Sequence, residues 1–390
     1  MKEHFAAAKA VFEQTVALRR ELHRYPELSQ QEQRTQALIV RRLQELGVSY
    51  RIHGNGGITA TVGKGSRAIG IRGDMDALPI EEKTGLPYAS QNPGVMHACG
   101  HDIHTALLLG TAELCKAREE KLGCAVKLFF QPAEETVGGA EQMIREGCME
   151  DPAVDGVLGV HVSPNIPVGT LSFQPGKMNA AVIEMDITVR GKGCHGAHPE
   201  KGVDAIVVAA NIISALQTVD SRRTAPTEPV VVTVGSIQGG TGRNIVAEEV
   251  TMKGTIRVLD METAKEVKAL VTQTATAIAS AYGAEAVVKL VDDYPALVND
   301  RELTARMVRE ATALLGAEKV FVRDVPSMGA DDFAYFANAA KGCYFSIGTL
   351  GPGQENQALH SGVFAPHEDC MLTGLAMLSA AIDALGEAAP

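Results

Sequence analysis

Tryptophan is absent from this 390-residue chain, and aromatic residues make up only 4% of it. That leaves no stacking platform for nucleobases. Positive charge is in deficit as well. The 36 Lys and Arg stand against 47 Asp and Glu, a formal net charge of −11, which argues against nucleic acid or an anionic membrane surface as the main partner. No run approaches the ~20 apolar residues of a membrane-spanning helix. The N-terminal stretch MKEHFAAAKAVFEQTVALRRELHRYPE lacks the uninterrupted apolar core and small-residue cleavage site of a secretory signal. The seven cysteines, at 99, 115, 124, 148, 194, 343 and 370, are odd in number and scattered, unlike a disulfide framework. A reduced, cytoplasmic protein is the expectation. Repeats and low-complexity linkers are missing too.

What is present is the composition of a globular protein, 45% hydrophobic and 21% charged. Its length exceeds one ordinary core, so two domains are expected. Apolar spacing of 3.6 residues predicts helices over 3–25 and 30–46, with Leu38, Ile39, Leu43 and Leu46 on one face and Gly47 as the C-terminal cap. Short apolar strands follow at 58–63, 68–73 and 125–130, and GVLGVH delivers His161 at its end. A helix follows His104. Strands alternating with helices, with polar residues clustered just past the strands, predict an α/β sheet with its site along one edge.

From about Ala180 the pattern changes. In VIEMDITVRG, Ile183, Met185, Ile187 and Val189 alternate with Glu184, Asp186, Thr188 and Arg190, as in an antiparallel strand covered on one side. A helix over 203–219, strands near 230–237 and 250–258, a helix over 261–282 and a strand over 286–291 complete a β-α-β-β-α-β order. That order fits a ferredoxin-like α+β module. The α/β style then resumes with helices at 301–315 and 331–340, a strand at 343–347 and a closing helix from 367. The expected division is a catalytic domain over 1–179 and 294–390, interrupted by a smaller domain over 180–293.

Chemistry concentrates in MHACGHDIHTA (96–106). Cys99 and His101 are two positions apart around Gly100, which lets the backbone bend so that both converge on one ion. Thiolate and imidazole suit borderline-soft divalent metals; the alternative is a helix start with scattered polar residues. Glu134 and Glu135 follow the strand 125–130 through Pro132. One could bind a metal while the other faces the water to be activated, or the pair is a solvated acidic turn. His161 and His360 read as ligands or as satisfied core histidines. Asp74 and Asp76 read as ligands, as acceptors for an imidazole N–H, or as strand-end turn residues.

Taken in order, GDMDALP, MHACGHDIH, QPAEE, GVH, GKGCHGAHP, NIVAEE, GADDFAYF and LHSG resemble a family of metal-dependent amidohydrolases. Hippurate hydrolase, the N-acyl-amino-acid aminoacylases, N-acetyldiaminopimelate deacetylase and plant hydrolases of auxin–amino-acid conjugates belong to it. The wider clan is that of two-metal aminoacylases and carboxypeptidases. The resemblance spans nearly the whole chain. It implies a mixed-sheet catalytic domain of two-metal exopeptidase type, with the inserted ferredoxin-like module as a lid. It implies Cys99 as a ligand shared by two metals, His101, Glu135, His161 and His360 as the other ligands, and Glu134 as general base. It also implies Asp76 as the carboxylate holding the site's geometry, and His195 as the lid histidine polarising the scissile carbonyl. Asn244 and Arg257 match positions near the substrate carboxylate. Cys194 and Glu200 depart from the common pattern around the lid histidine and leave His198 as a second candidate.

The expected activity is hydrolysis of N-acyl amino acids with two divalent ions, zinc or manganese, with cobalt or nickel also allowed. The alternatives are a carboxypeptidase or dipeptidase, and a metal-binding protein without catalysis. A homodimer through the inserted domain is expected, because its sheet edges would be exposed. His97 and His104 are expected to be structural. His4, His23, His53 and His367 are expected at the surface, and Cys115, Cys124, Cys148, Cys343 and Cys370 in packing.

Overall fold

The computed structural model describes residues 2–387. It divides into two compact units, Met1–Gly176 with Val298–Val325 and Asp332–Pro390, and Lys177–Leu297 with Pro326–Asp331.

The first unit is built on an eight-stranded mixed sheet. Its strand order is Ser49–Ile52, Ile58–Val62, Ala125–Gln131, Arg67–Asp74, Ala153–Pro167, Lys341–Leu350, Leu171–Phe173 and Val320–Val322. The central strands run parallel, from Ala125–Gln131 through Arg67–Asp74 and Ala153–Pro167 to Lys341–Leu350. Antiparallel partners flank them. Parallel strands at the middle of a sheet must be covered on both faces, and here they are. Leu128 and Phe130 point into the core shared with helices Lys2–Arg24, His101–Lys116 and Cys370–Gly386. Phe129, between them, stacks instead on Phe336 of the short helix Phe333–Ala339 at 5.0 Å. The helix His101–Lys116 is buried almost all round, which fits its position between the sheet and other helices.

Two sequence expectations need correction. The strand bearing His161 does not end there but continues to Pro167. Pairing with Arg67–Asp74 stops at Gly159, whereas pairing with Lys341–Leu350 goes on past Ser163. The extension is therefore bonded along one side only, where prolines are tolerated. Three strands of this sheet were not expected: Ser49–Ile52, mostly exposed and without apolar alternation, and Leu171–Phe173 and Val320–Val322, each of only three residues. Elsewhere the expected helices and strands stand within a few residues of their places.

The second unit holds a four-stranded antiparallel sheet in the order Val230–Gly239, Glu249–Val258, Ala181–Arg190, Glu285–Asp292. Helices Ala205–Thr218 and Met261–Ala281 complete a ferredoxin-like arrangement. Ile183, Met185, Ile187 and Val189 are buried beneath the two helices, as their alternation requires. Asp204 and Asp260 cap those helices, accepting backbone N–H bonds from Ile206 and Val207, and from Thr263. None of the described helices is long and apolar enough to cross a membrane.

One buried charge cluster ties the strand ends of the first unit. The Arg72 guanidinium donates to Asp74 at 2.5 Å, to Gln131 at 2.7 Å and to Asp332 at 2.7 Å. All four are fully buried. Removing the cation would strand two carboxylates in a dry interior. Arg72→Met is therefore expected to lower stability by about 3–5 kcal/mol, read from urea denaturation. A loss below about 1 kcal/mol, as for a surface pair, would contradict this reading.

Candidate metal centre

Gly100 sets the local geometry. It precedes the helix His101–Lys116 with φ +82°, and a Cβ there would lie 2.5 Å from Val162 Cγ2. A side chain would be strained in that conformation and would clash as well. The turn places Cys99 Sγ 3.4 Å from His161 Nε2. His161 Nδ1 donates to the carbonyl of Val162 at 2.7 Å, which leaves the Nε2 lone pair facing the sulfur. His101 is arranged in the same way. Its Nδ1 donates to Asp76 at 3.2 Å, and its Nε2 lies 3.8 Å from Glu135 Oε1. His360, at φ +59°, donates its backbone N–H to Ala98 at 2.9 Å and brings Nε2 within 3.2 Å of the same Glu135 oxygen.

The structure thus gathers Cys99, His101, Glu134, Glu135, His161 and His360. Their donor atoms form overlapping groups, each within 4.8 Å: Cys99, His101 and His161; Cys99, Glu135 and His360; His101, Glu134 and Glu135. Cys99 is common to the first two. His101 Nε2 is buried without a hydrogen-bond partner, a costly state for a polar atom that a cation would relieve, while Glu135 Oε1 has His360 Nε2 beside it. Thiol, imidazole and carboxylate together fit a divalent transition ion. Burial pushes the Cys99 thiol well above its usual pKa. Burial opposes charge on His101, but Asp74, Cys99 and Asp76 outweigh it and hold the imidazole well above its ordinary value.

Behind the donors lies a set of buried polar groups. Asp76 accepts from His101, from Ser29 Oγ at 2.7 Å and from the Glu135 backbone N–H at 3.0 Å. Its burial is outweighed by the His101 bond and charge and by these donors, so its pKa is lowered. Asp74 accepts from His104 Nδ1 at 2.6 Å, and His104 Nε2 accepts the Val162 backbone N–H at 3.0 Å. His104 is therefore held in the neutral tautomer that fixes the strand carrying His161. Asp74, His101 and His104 could themselves hold an ion, but Asp74 is already paired with the Arg72 cation and takes the His104 N–H. Asp74 is thus a buried acceptor for Arg72 and His104 and not a solvated strand-end turn residue. Asp102, the residue after His101, accepts from Arg19 at 2.7 Å and His23 at 2.8 Å, and His23 also meets Glu82 at 3.2 Å.

In the second unit, His195 and Asn244 share one small ribbon. Cys194–His195 pairs with Ile245–Val246, and the Gly196 N–H donates to the Asn244 carbonyl at 2.7 Å. His195 Nδ1 accepts the Ala197 N–H at 3.0 Å, which puts the proton of a neutral ring on Nε2 as an outward donor. His198 instead lies 3.7 Å from Glu200. Arg257 stands in the four-stranded sheet and donates to the Met328 carbonyl at 3.1 Å.

His23 and His53 are not surface groups. Both are buried, His23 on Asp102 and His53 2.8 Å from Thr59 Oγ1, while His4 and His367 are half-buried. A signal for His23 was present. Ala8, Val11, Thr15, Arg19 and Leu22 follow the inner stripe of the first helix, and His23 is one turn beyond Arg19. Polar residues on an apolar stripe need buried partners. Cys115, Cys124, Cys148, Cys343 and Cys370 are buried free thiols, as expected of packing residues.

Burial opposes ionisation of Asp102, but Arg19 and His23 overcome it and hold the carboxyl far below its ordinary 3.8. A depressed carboxyl contributes stability that is present above the unfolded-state pKa and lost as pH falls through the folded value. In chelated protein, Asp102→Asn is expected to lower stability at pH 7 by about 3 kcal/mol and to flatten the fall below about pH 4. Urea midpoints measured from pH 7 to 3 check this, and parallel curves for the two proteins would contradict it.

Comparison with known proteins follows the same lines. Residues 70–384 match the profile of peptidase family M20/M25/M40. An N-acetyl-L-cysteine deacetylase of Bacillus subtilis is 41% identical over 341 residues, 87% of this chain and 81% of the relative. Thermostable carboxypeptidase 1 of Saccharolobus solfataricus is 37% identical over 370 residues, 92% of each chain. A crystal structure described as a dinuclear metal-binding peptidase of the M20 family from Bacillus subtilis superposes with a TM-score of 0.84 at 32% identity, covering 97% of this chain and 98% of that one. With donor residues for a metal centre in place and this extent of match, the chain belongs to peptidase family M20/M25/M40.

Proposed function

We propose that this protein is a metal-dependent amidohydrolase that cleaves N-acyl amino acids of the N-acetyl or benzoyl type to a carboxylic acid and a free amino acid. The observation that carries the reading is the pair of donor groups sharing Cys99, with the Glu134 carboxylate beside them. Cys99, His101, Glu135, His161 and His360 would hold two divalent ions. Zinc or manganese fits best, and cobalt or nickel is compatible with the same donors. Bound there, the ions supply Lewis acidity toward the substrate carbonyl and the attacking water.

The chain's own residues do the rest. Glu134, buried beside His101 and Glu135, takes a proton from the attacking water and returns it to the departing nitrogen. Asp76 holds His101 through Nδ1 and so directs Nε2 toward the other donors. His195 is assigned as hydrogen-bond donor to the oxyanion, because Ala197 fixes its ring with Nε2 as the donor. Asn244 and Arg257 are assigned to the substrate carboxylate. The deacetylase relative supports the acyl-amino-acid reading. The carboxypeptidase relative supports a second one, carboxypeptidase or dipeptidase action on short peptides by the same groups.

We also assign a homodimer through the second unit. Its edge strand Val230–Gly239 exposes Val231 and Ile237, and the adjoining helix exposes Ile206 and Val207. Ile206 reaches the Gly240 end of that strand, so the two elements form one apolar margin of the kind that pairs with another chain. Seven free cysteines suit a reducing, cytoplasmic setting.

On a panel of N-acetyl, N-benzoyl and longer N-acyl amino acids plus dipeptides, release of free amino acid is expected and should be abolished by chelator. Glu134→Gln should lower kcat about 10³-fold or more with both ions retained. His195→Ala should cost about 10²–10³-fold, and His198→Ala less than about tenfold. Turnover surviving in Glu134→Gln, or insensitive to chelator, would contradict the mechanism. Light scattering at micromolar concentration should give a dimer that Ile206→Glu with Ile237→Lys converts to monomer. A monomeric parent protein would contradict the assembly.

A further inference from the structure

The structure ends the first helix at Arg24 and starts the second at Gln33, so Glu32, expected inside a helix over 30–46, lies instead in the linking segment 25–32, whose side chains reach the backs of site-bearing loops. Ser29 Oγ donates to Asp76 at 2.7 Å. Glu32 Oε1 accepts the backbone N–H of Ala133 at 2.9 Å. The segment is itself held firmly. The Glu27 carbonyl accepts from Ala77 N–H at 2.8 Å, the Pro26 carbonyl from Asn92 Nδ2 at 2.7 Å, and the Glu27 carboxylate from the N–H groups of Arg34 and Thr35.

Ala133 is the residue that needs holding. It stands at φ +58° immediately before Glu134, a conformation that costs a residue with a Cβ on the order of 1 kcal/mol. Its carbonyl accepts from the Gly138 N–H at 3.0 Å, closing the turn, and its amide is buried against Glu32. The Glu32 side chain makes no capping bond to its own helix. It is buried, and burial pushes its carboxyl up to about 7 against the lowering effect of nearby backbone N–H groups. A carboxyl kept in so unfavourable a place makes its bond outside its own segment to the one amide that fixes the turn.

We infer that Glu32 is a positioning residue, which holds the strained Ala133 turn in the conformation that aims the Glu134 carboxylate. This rests on the reading of Glu134 as the general base. The step it serves is a proton transfer, where small displacements of the base are costly.

The test compares Glu32→Gln, Glu32→Leu and Glu32→Leu/Ala133→Gly in the metal-loaded protein. The readouts are kcat and KM on N-acetyl-L-methionine, metal ions per chain, and hydrogen exchange of a peptide covering 131–139. Gln keeps an acceptor for the Ala133 amide, so Glu32→Gln should retain kcat within about fivefold. Glu32→Leu should lose kcat by about 50-fold or more, with KM within about threefold. Both ions should remain bound and exchange in 131–139 should accelerate. Ala133→Gly, which removes the backbone strain, should restore part of that loss. Glu32→Leu with unchanged kcat, or with activity lost through loss of metal, would overturn the inference. If the parent protein hydrolyses no acyl amino acid, the reading of the function fails. Hydrogen exchange then decides alone, and an unchanged rate in Glu32→Leu would still overturn the holding of the turn.

Discussion

A carboxylate without solvent around it must find its donors within the protein, and Asp76 is where this constraint shapes the structure. It is 1% exposed, and its two oxygens take bonds from three separate segments. These are the imidazole of His101, the hydroxyl of Ser29 and the backbone N–H of Glu135. Satisfying one anion therefore brings a helix start, a helix connector and a strand-end turn to the same point. The donor atoms of the candidate metal centre are fixed as a consequence: His101 turns its free nitrogen away from Asp76, and Glu135 follows its backbone into place.

The same logic extends outward in layers. Arg72 balances Asp74 and Asp332, and Asp74 orients His104. His104 in turn accepts the backbone N–H beside His161. On the other side, Arg19 and His23 balance Asp102 next to His101. Each buried charge is met by another, because leaving any of them unpaired would cost several kcal/mol. The free cysteines away from the centre take no part in this. Burial holds Cys115, Cys148, Cys343 and Cys370 near 12 as neutral, packed thiols.

How much of this the sequence carried depended on range. Cys99 and His101 were legible because two donors around a glycine are a local statement, and Gly100 does adopt the left-handed conformation. The Ala181–Arg190 strand was legible because a sheet covered on one face imposes strict alternation. His161 was legible as a ligand candidate but not as a residue inside a strand, since prolines just beyond it suggested a strand end. The pairings of Ser29, Glu32, His23 and Arg19 were not legible. They join positions from 47 to 101 residues apart, and no spacing rule indicates which carboxylate will meet which N–H. Ala133 gave no sign of its positive φ, because alanine is not a residue that announces a turn.

The proposed centre depends on Cys99 as a ligand shared by two ions, with Asp74 and His104 as supports. Anomalous diffraction from crystals of the zinc-loaded protein tests this directly. Two peaks are expected, each about 2.3 Å from the Cys99 sulfur. One peak is expected to be completed by His101 or His161, and the other by Glu135 or His360. A single peak, or density centred among Asp74, His101 and His104, would contradict it.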